Sequence, residues 1–202
     1  MFKNTVLTVF ILVIFTGITI ADSVTLCPTD DADVWEYTPD TNRGSEISFQ
    51  VGCGGSGYWR NSLIKFDLSA YSGATVNSAI LRLWVTGSYG DFPTDNIFIV
   101  RNDADWDELT VTWNNKPTSA GIAPITAPST YDWWEIDVTG WVQDFVDGSF
   151  PNYGFQILQN DTDYAIFSMG TKEGPIDPEL VLDFVPVSLE HTTFGRIKSL
   201  FD

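Results

Sequence analysis

Apolar and polar residues alternate along most of this chain in short bursts. In SAILRLWVT, Ala79, Leu81, Leu83 and Val85 fall on one side, with Arg82 and Thr86 on the other. SLIKFDLS groups Ile64, Phe66 and Leu68 against Lys65 and Asp67. EISFQVG repeats the pattern through Ile47, Phe49 and Val51, and DADVWEY sets Ala32 and Val34 against Asp33, Trp35 and Tyr37. NIFIVR, WWEIDV, YGFQIL, YAIFSM and ELVLDFV behave alike. A period of two sends alternate side chains to opposite faces of a strand. Many such runs, each ended by Gly, Pro, Asn or Asp, predict an all-β fold, a jelly-roll β-sandwich.

One segment follows a different period. In DVTGWVQDFVDG the apolar residues Trp141, Val142, Phe145 and Val146 recur at helical spacing. This predicts one short helix over Thr139 to Val146, capped by Asp137 or Thr139 and closed by Gly148. The ends of the chain differ again. Lys3, an apolar run from Val6 to Ile20 and the small residues Thr19 and Ala21 have the pattern of a secretory signal peptide over residues 1–21. The alternative, an uncleaved anchor, asks for about 20 apolar residues, longer than this run. Residues 22–186 make one domain. Residues 187–202 read as a short C-terminal tail, in which Phe194, Ile197, Leu200 and Phe201 share a helical face that suits docking or self-assembly.

Charge narrows the partners. The formal net charge is −17, with ten Lys and Arg against 27 Asp and Glu. Such a chain is a poor match for nucleic acid, whose phosphates attract basic surfaces. Nor does it suit an anionic membrane once a leader is removed. It fits a secreted protein of the extracellular space or cell surface. Two cysteines, Cys27 and Cys53, suggest a disulfide in that setting, with two separate thiols as the alternative. Carboxylates at Asp31 and Asp33, and at Asp103, Asp105 and Asp107, make structural calcium the expected cofactor. Solvated turn acids are the competing reading, as they are for Asp161 and Asp163. NDADWDE is not an EF-hand loop, because Glu108 and Asn114 stand where that loop needs Gly and Glu.

Catalytic signatures are absent. The single histidine, His191, lies in the tail, so no Ser-His-Asp or Cys-His arrangement can form within the domain. No G-x-S-x-G, HExxH or phosphate loop occurs. The expectation is a non-enzyme.

The words DADVWEYTPDTNRGSEISFQVG, RNSLIKFDLS, ATVNSAILRLWV, DWDELTVTWNNKP, WEIDVTGWVQDFVDGSFPNYGFQIL and PELVLDFV follow in that order. This succession resembles the DNRLRE-type domain, also classed as a carbohydrate-binding module, over residues 24–184. The resemblance implies a jelly-roll sandwich of secreted and surface proteins. Some members bind acidic polysaccharide; others repeat in cell-wall or matrix proteins. Arg43 replaces the aromatic residue usual in the family's first word, and Tyr58-Trp59 replace polar residues before the third strand. DWDELTVTWNN matches the family's mid-domain word, which favours a scaffold role for Trp113 and Asn114 over a ligand site.

Sugar rings stack on exposed aromatic faces flanked by polar groups. The aromatics out of register with the core are therefore the expected carbohydrate-binding residues: Trp35, Tyr37, Tyr58, Trp59 and Trp84, with Arg43 and Arg82 beside them. Tyr89 and Tyr131 lie near loops, and Lys65 and Arg101 add cations for an acidic ligand. The expected function is a secreted, non-catalytic carbohydrate-binding module for a polysaccharide or surface glycan. The alternative is a structural or assembly domain of the cell surface or extracellular matrix.

Overall fold

The computed structural model describes residues 21–90, 96–160 and 164–187. The expected leader, apart from Ala21, and the tail beyond Val187 lie outside the described residues, as do Asp161, Asp163 and His191. The strands are β1 Asp22–Leu26, β2 Asp30–Trp35, β3 Ser48–Cys53, β4 Trp59–Lys65, β5 Thr75–Gly90, β6 Ile97–Asn102, β7 Ser119–Ile125, β8 Trp133–Asp137, β9 Phe155–Gln159, β10 Ala165–Gly170 and β11 Glu179–Val185. All named pairs are antiparallel. The order β1-β11-β5-β10-β3-β4-β9-β6-β7 forms one curled sheet, with β2 added on β4 and β8 on β5. The fold is an all-β sandwich, as the alternation predicts.

β5 joins the two layers. Its first half pairs with β11 and β8 in sheet A, and its second half pairs with β10 in sheet B. Ala79, Leu81, Leu83 and Val85 are buried along its inner face. They meet Phe49, Val51, Ile64, Ile157, Phe167 and Met169 from sheet B in the main core. Burying each such side chain contributes about 1.5–3 kcal/mol. Ile47 departs from its expected place: it precedes β3 and is 68% exposed.

α1 spans Thr139–Val146, the predicted range. The Asp137 carboxylate accepts the Thr139 N–H at 2.9 Å, and Gly148, at φ 70°, ends the helix by donating to the Phe145 carbonyl. Val142, Phe145 and Val146 are buried against the core, and Trp141 stacks on Phe155.

A second, smaller core lies on the far side of β2 and β4, where Ala32, Val34 and Leu63 meet Trp106 and Val111. The DWDELTVTWNNKP segment is its cover. Trp106 Nε1 donates to the Tyr153 carbonyl at 2.9 Å, and Trp113 packs over the cluster beneath Lys116. Asn114 Nδ2 donates to Asp40, while the Asn115 Oδ1 accepts the Thr112 N–H. Asn115 thus closes its own turn, as Asn side chains do, and Asn114 ties that turn to the Asp40 loop.

The disulfide expectation is not met. No disulfide joins Cys27, which is exposed, to Cys53, which is buried. Cys27 follows β1, which pairs with β11 in sheet A. Cys53 ends β3 in sheet B, opposite Ala165, and its sulfur accepts the Gly55 N–H at 3.3 Å. The two residues belong to different layers.

Candidate carbohydrate-binding cleft

β10 lies between β5 and β3, and the outer face of this trio forms the floor of an open cleft of about 620 Å³. Cross-strand register decides what points into it. Gly87, Ser168 and Gln50 are one row of partners, and Tyr89, Ile166 and Gly52 are the next. Directly opposed residues share a face, so these rows stand on the side opposite buried Phe167 and Met169. Gln50 Nε2 donates to Ser168 Oγ at 2.9 Å, leaving a polar patch on the floor. At Gly87 an added Cβ would have no neighbouring atom within 4 Å, so the floor is open there.

Aromatic rings make the walls. Tyr58 stacks on Tyr37 with centroids 4.7 Å apart. Tyr89 meets Tyr164 edge-on at 5.5 Å. All four rings are exposed. Trp35 and Arg60 complete the lining, and a smaller hollow of about 230 Å³ continues beside them to Tyr37 and Trp59. The Tyr131 hydroxyl sits 2.9 Å from Ser88 Oγ at the rim.

Trp35 is fixed from several sides. Its Nε1 donates to Asp33 at 2.6 Å, and the guanidinium groups of Arg43 and Arg60 lie 3.8 and 4.0 Å from its ring centroid. Arg43 Nε also donates to Asp33 at 2.8 Å. Burial raises the Asp33 carboxyl above its ordinary value, against the pull of Arg43 and the Trp35 hydrogen bond. Burial lowers Arg60, with Asp33 opposing. Among the described residues Arg60 makes no ion pair, whereas Arg43, Lys65, Arg82, Arg101 and Lys172 do. Arg60 is thus the cation of the cleft lining.

Five of the expected sugar-contacting residues, Trp35, Tyr37, Arg43, Tyr58 and Trp59, come together here. Two do not. Arg82 and Trp84 stand on the outer face of sheet A and line no part of the cleft. Arg82 pairs with Glu135 and Glu179 on its two neighbouring strands, and Trp84 packs edge-on against Trp133. Lys65 and Arg101 also have structural uses: Lys65 bridges to Asp105, and Arg101 is buried on Asp144 and Phe150. Tyr164, Gln50 and Ser168 were not expected in the site, and Arg60 was visible only as the sequence neighbour of Tyr58 and Trp59. Tyr164, the first residue of the alternating run YAIFSM, had the visible signal of a large polar aromatic at a strand start.

The expected calcium ligands do not converge. Asp103, Asp105 and Asp107 are exposed turn acids. Asp103 accepts from Thr118 Oγ1, and Asp107 from the Leu109 N–H. The Lys65 hydrogen bond holds Asp105 below the usual carboxylate range. Asp33 is taken up by Arg43 and Trp35. Asp31 alone joins an acidic group, with two residues not expected there, Glu108 and Glu173. Burial pushes the Asp31 carboxyl up to about 7; the Lys172 amide hydrogen bond opposes this, and the charges of Glu173 and Glu108 reinforce it.

Other proteins share this sequence pattern. A 100-residue stretch is 30% identical to the tRNA nuclease WapA of Bacillus subtilis (strain 168), covering 49% of this chain and 4% of that protein. A 99-residue stretch is 34% identical to a gellan lyase of Bacillus sp, covering 47% of this chain and 4% of that protein. The chain therefore corresponds to a small part of each relative's length. Residues 22–184 match carbohydrate-binding module family 96. That match begins with the first residue of β1 and reaches into β11, so it takes in both sheets and the cleft, and the chain belongs to carbohydrate-binding module family 96.

Proposed function

We propose that this chain is a secreted, non-catalytic module that holds a polysaccharide in the cleft on sheet B, and that within its family it is of the DNRLRE type. The observation that carries this reading is the pairing of exposed rings with a polar floor: Tyr37, Tyr58, Tyr89 and Tyr164 around Gln50, Ser88 and Ser168. Stacking of sugar faces on the rings supplies area, and the floor supplies hydrogen bonds that orient the chain. The named activity of one relative, a gellan lyase, is in keeping with a polysaccharide partner.

Arg60 adds a preference. A guanidinium leaning on Trp35 is oriented to meet a carboxylate or sulfate on the ligand. In a chain of net charge −17, that one cation is the local exception that lets an acidic polysaccharide approach. The lining contains no Asp, Glu or His among the described residues. General acid–base cleavage of a glycosidic bond draws on such groups, which supports binding without turnover.

Affinity electrophoresis against acidic and neutral polysaccharides tests the reading. An acidic polysaccharide should retard the protein, and Tyr58→Ala and Tyr164→Ala should each weaken retardation about tenfold. A protein that no polysaccharide retards would overturn the binding role in favour of an assembly domain. Release of unsaturated or reducing ends would overturn the non-catalytic part.

A further inference from the structure

Away from the cleft lining, three carboxylates close on one point. One ligand oxygen each from Asp31, Glu108 and Glu173 lies within 4.8 Å of the others. They come from three separate parts of the chain: the start of β2, the loop after β6, and the turn between β10 and β11.

The group is held in place. Glu108 is 9% exposed. Its Oε1 accepts the Asp31 N–H at 2.8 Å. Its backbone carbonyl accepts from Asn42 Nδ2 at 2.7 Å, and the loop at Gly44 passes so close that an added Cβ would lie 2.0 Å from that carbonyl oxygen. Asp31 is 1% exposed, and its Oδ2 accepts the Lys172 N–H at 2.9 Å. The other oxygen, Oδ1, has no hydrogen-bond partner among the described residues. A buried carboxylate oxygen without a donor is costly unless a proton or cation meets it.

One cation is already present. Lys172 Nζ lies 2.6 Å from Glu108 Oε2, 3.0 Å from the Thr29 carbonyl and 3.6 Å from Glu173. Three carboxylates and one ammonium still leave two negative charges, and the ammonium makes no hydrogen bond to Asp31 Oδ1.

We propose that Asp31, Glu108 and Glu173 form a divalent-cation site, selective for calcium. All three donors are hard oxygens, which disfavours zinc or copper. Calcium binds oxygen at about 2.3–2.6 Å, so oxygens up to about 5 Å apart can share it, and these three lie within 4.8 Å of one another; magnesium, at about 2.0–2.1 Å, spans at most about 4.2 Å. The ion meets the unpartnered oxygen of Asp31 and cancels the residual charge. It also ties the β2 start, the Glu108 loop and the β10–β11 turn together. Asp33 stands two residues along on the same face of β2, so the tie reaches the residue that clamps Trp35 and Arg43. This site is independent of the polysaccharide reading.

Calorimetric titration of the chelator-treated chain with calcium and with magnesium, joined to thermal unfolding, tests it. The expected result is binding at one site, a higher Tm in calcium than in chelator, and weaker binding of magnesium. Glu173→Gln, at the exposed edge of the group, should keep the fold and weaken calcium binding about tenfold or more. Asp31→Asn should abolish the calcium-dependent rise in Tm with an unchanged circular dichroism spectrum; if that variant does not fold, Glu173→Gln decides. The proposal is overturned if calcium gives neither heat nor a Tm shift, which would leave Lys172 as the sole counter-ion. It is equally overturned if Glu173→Gln responds to calcium as the parent does, which would place the binding among the surface acids.

Discussion

Arg82 with Trp84 and Trp133, and Arg60 with Trp35, are two arginine–tryptophan clusters on outward-facing parts of the sandwich. On sheet A, Arg82 is flanked by Glu135 and Glu179 across the strands and lies 4.3 Å from the Trp133 centroid. Its charge is spent within the sheet, and the tryptophans cover one another. On sheet B, Arg60 has no such partner among the described residues, and the rings around it face outward over a hollow. The same residue types give a sheet-stabilising patch in one place and a binding surface in the other. The difference lies in the neighbours across the strands, not in the residues themselves.

The largest expected effect separates a buried acid at the start of β2, the strand that carries Trp35, from an exposed acid beside Arg82. Asp31 moves from 3.8 to about 7 on folding. A carboxyl whose folded-state value is raised favours the folded state at low pH and loses that advantage as pH climbs from about 4 to about 7. At 1.36 kcal/mol per pH unit the loss reaches about 4 kcal/mol. In chelator, denaturant unfolding of the parent should therefore weaken over that window relative to Asp31→Asn. Glu135→Gln, beside Arg82, should change stability by less than about 1 kcal/mol at any pH. A parent and an Asp31→Asn variant with parallel pH profiles would show that Asp31 is not strained by burial.

Next is the open floor. Gly87→Trp should fill the cleft and weaken polysaccharide binding about 100-fold, or about 2.7 kcal/mol, without loss of Tm. Trp84→Ala, on sheet A, should leave binding unchanged and cost about 1 kcal/mol of stability. If Gly87→Trp binds normally, the ligand sits elsewhere.

The smallest effect is the charge itself. Arg60→Met should weaken binding of an acidic polysaccharide several-fold and flatten its dependence on salt, while Arg82→Met should alter neither. Equal effects from the two variants would erase the contrast between the clusters.

The alternation of Ala79, Leu81, Leu83 and Val85, and the helical spacing of Val142, Phe145 and Val146, made the sandwich and its helix legible in the sequence. These patterns report burial, and burial is local to each element. β7 was not legible: SAGIAPI has no alternating large residues, and it is an edge strand that pairs with β6 alone. Half of the cleft was legible for the same local reason. Trp35, Tyr37, Tyr58 and Trp59 break register within their own runs. Tyr164 and Gln50 enter the cleft only because β10 pairs with β3, so that Ser168 opposes Gln50. Register between strands so distant in sequence leaves no mark in either strand. The acidic group shows the converse: Asp103, Asp105 and Asp107 looked like ligands by spacing, yet a turn turned them outward, while Glu108 among them faces inward to Asp31.

β5 runs through both sheets without a break, and this has a dynamic consequence. Sheet A cannot open from Thr75 to Trp84 without releasing a strand whose continuation carries Tyr89 and the cleft floor. Amide hydrogen exchange should accordingly find one cooperative opening unit across β11, β5 and β10, with protection lost together in both layers. A polymer drawn through the cleft would then load its tension along a strand that β10 holds at the cleft and β11 and β8 hold beyond it, where resistance to shear is shared among many backbone hydrogen bonds.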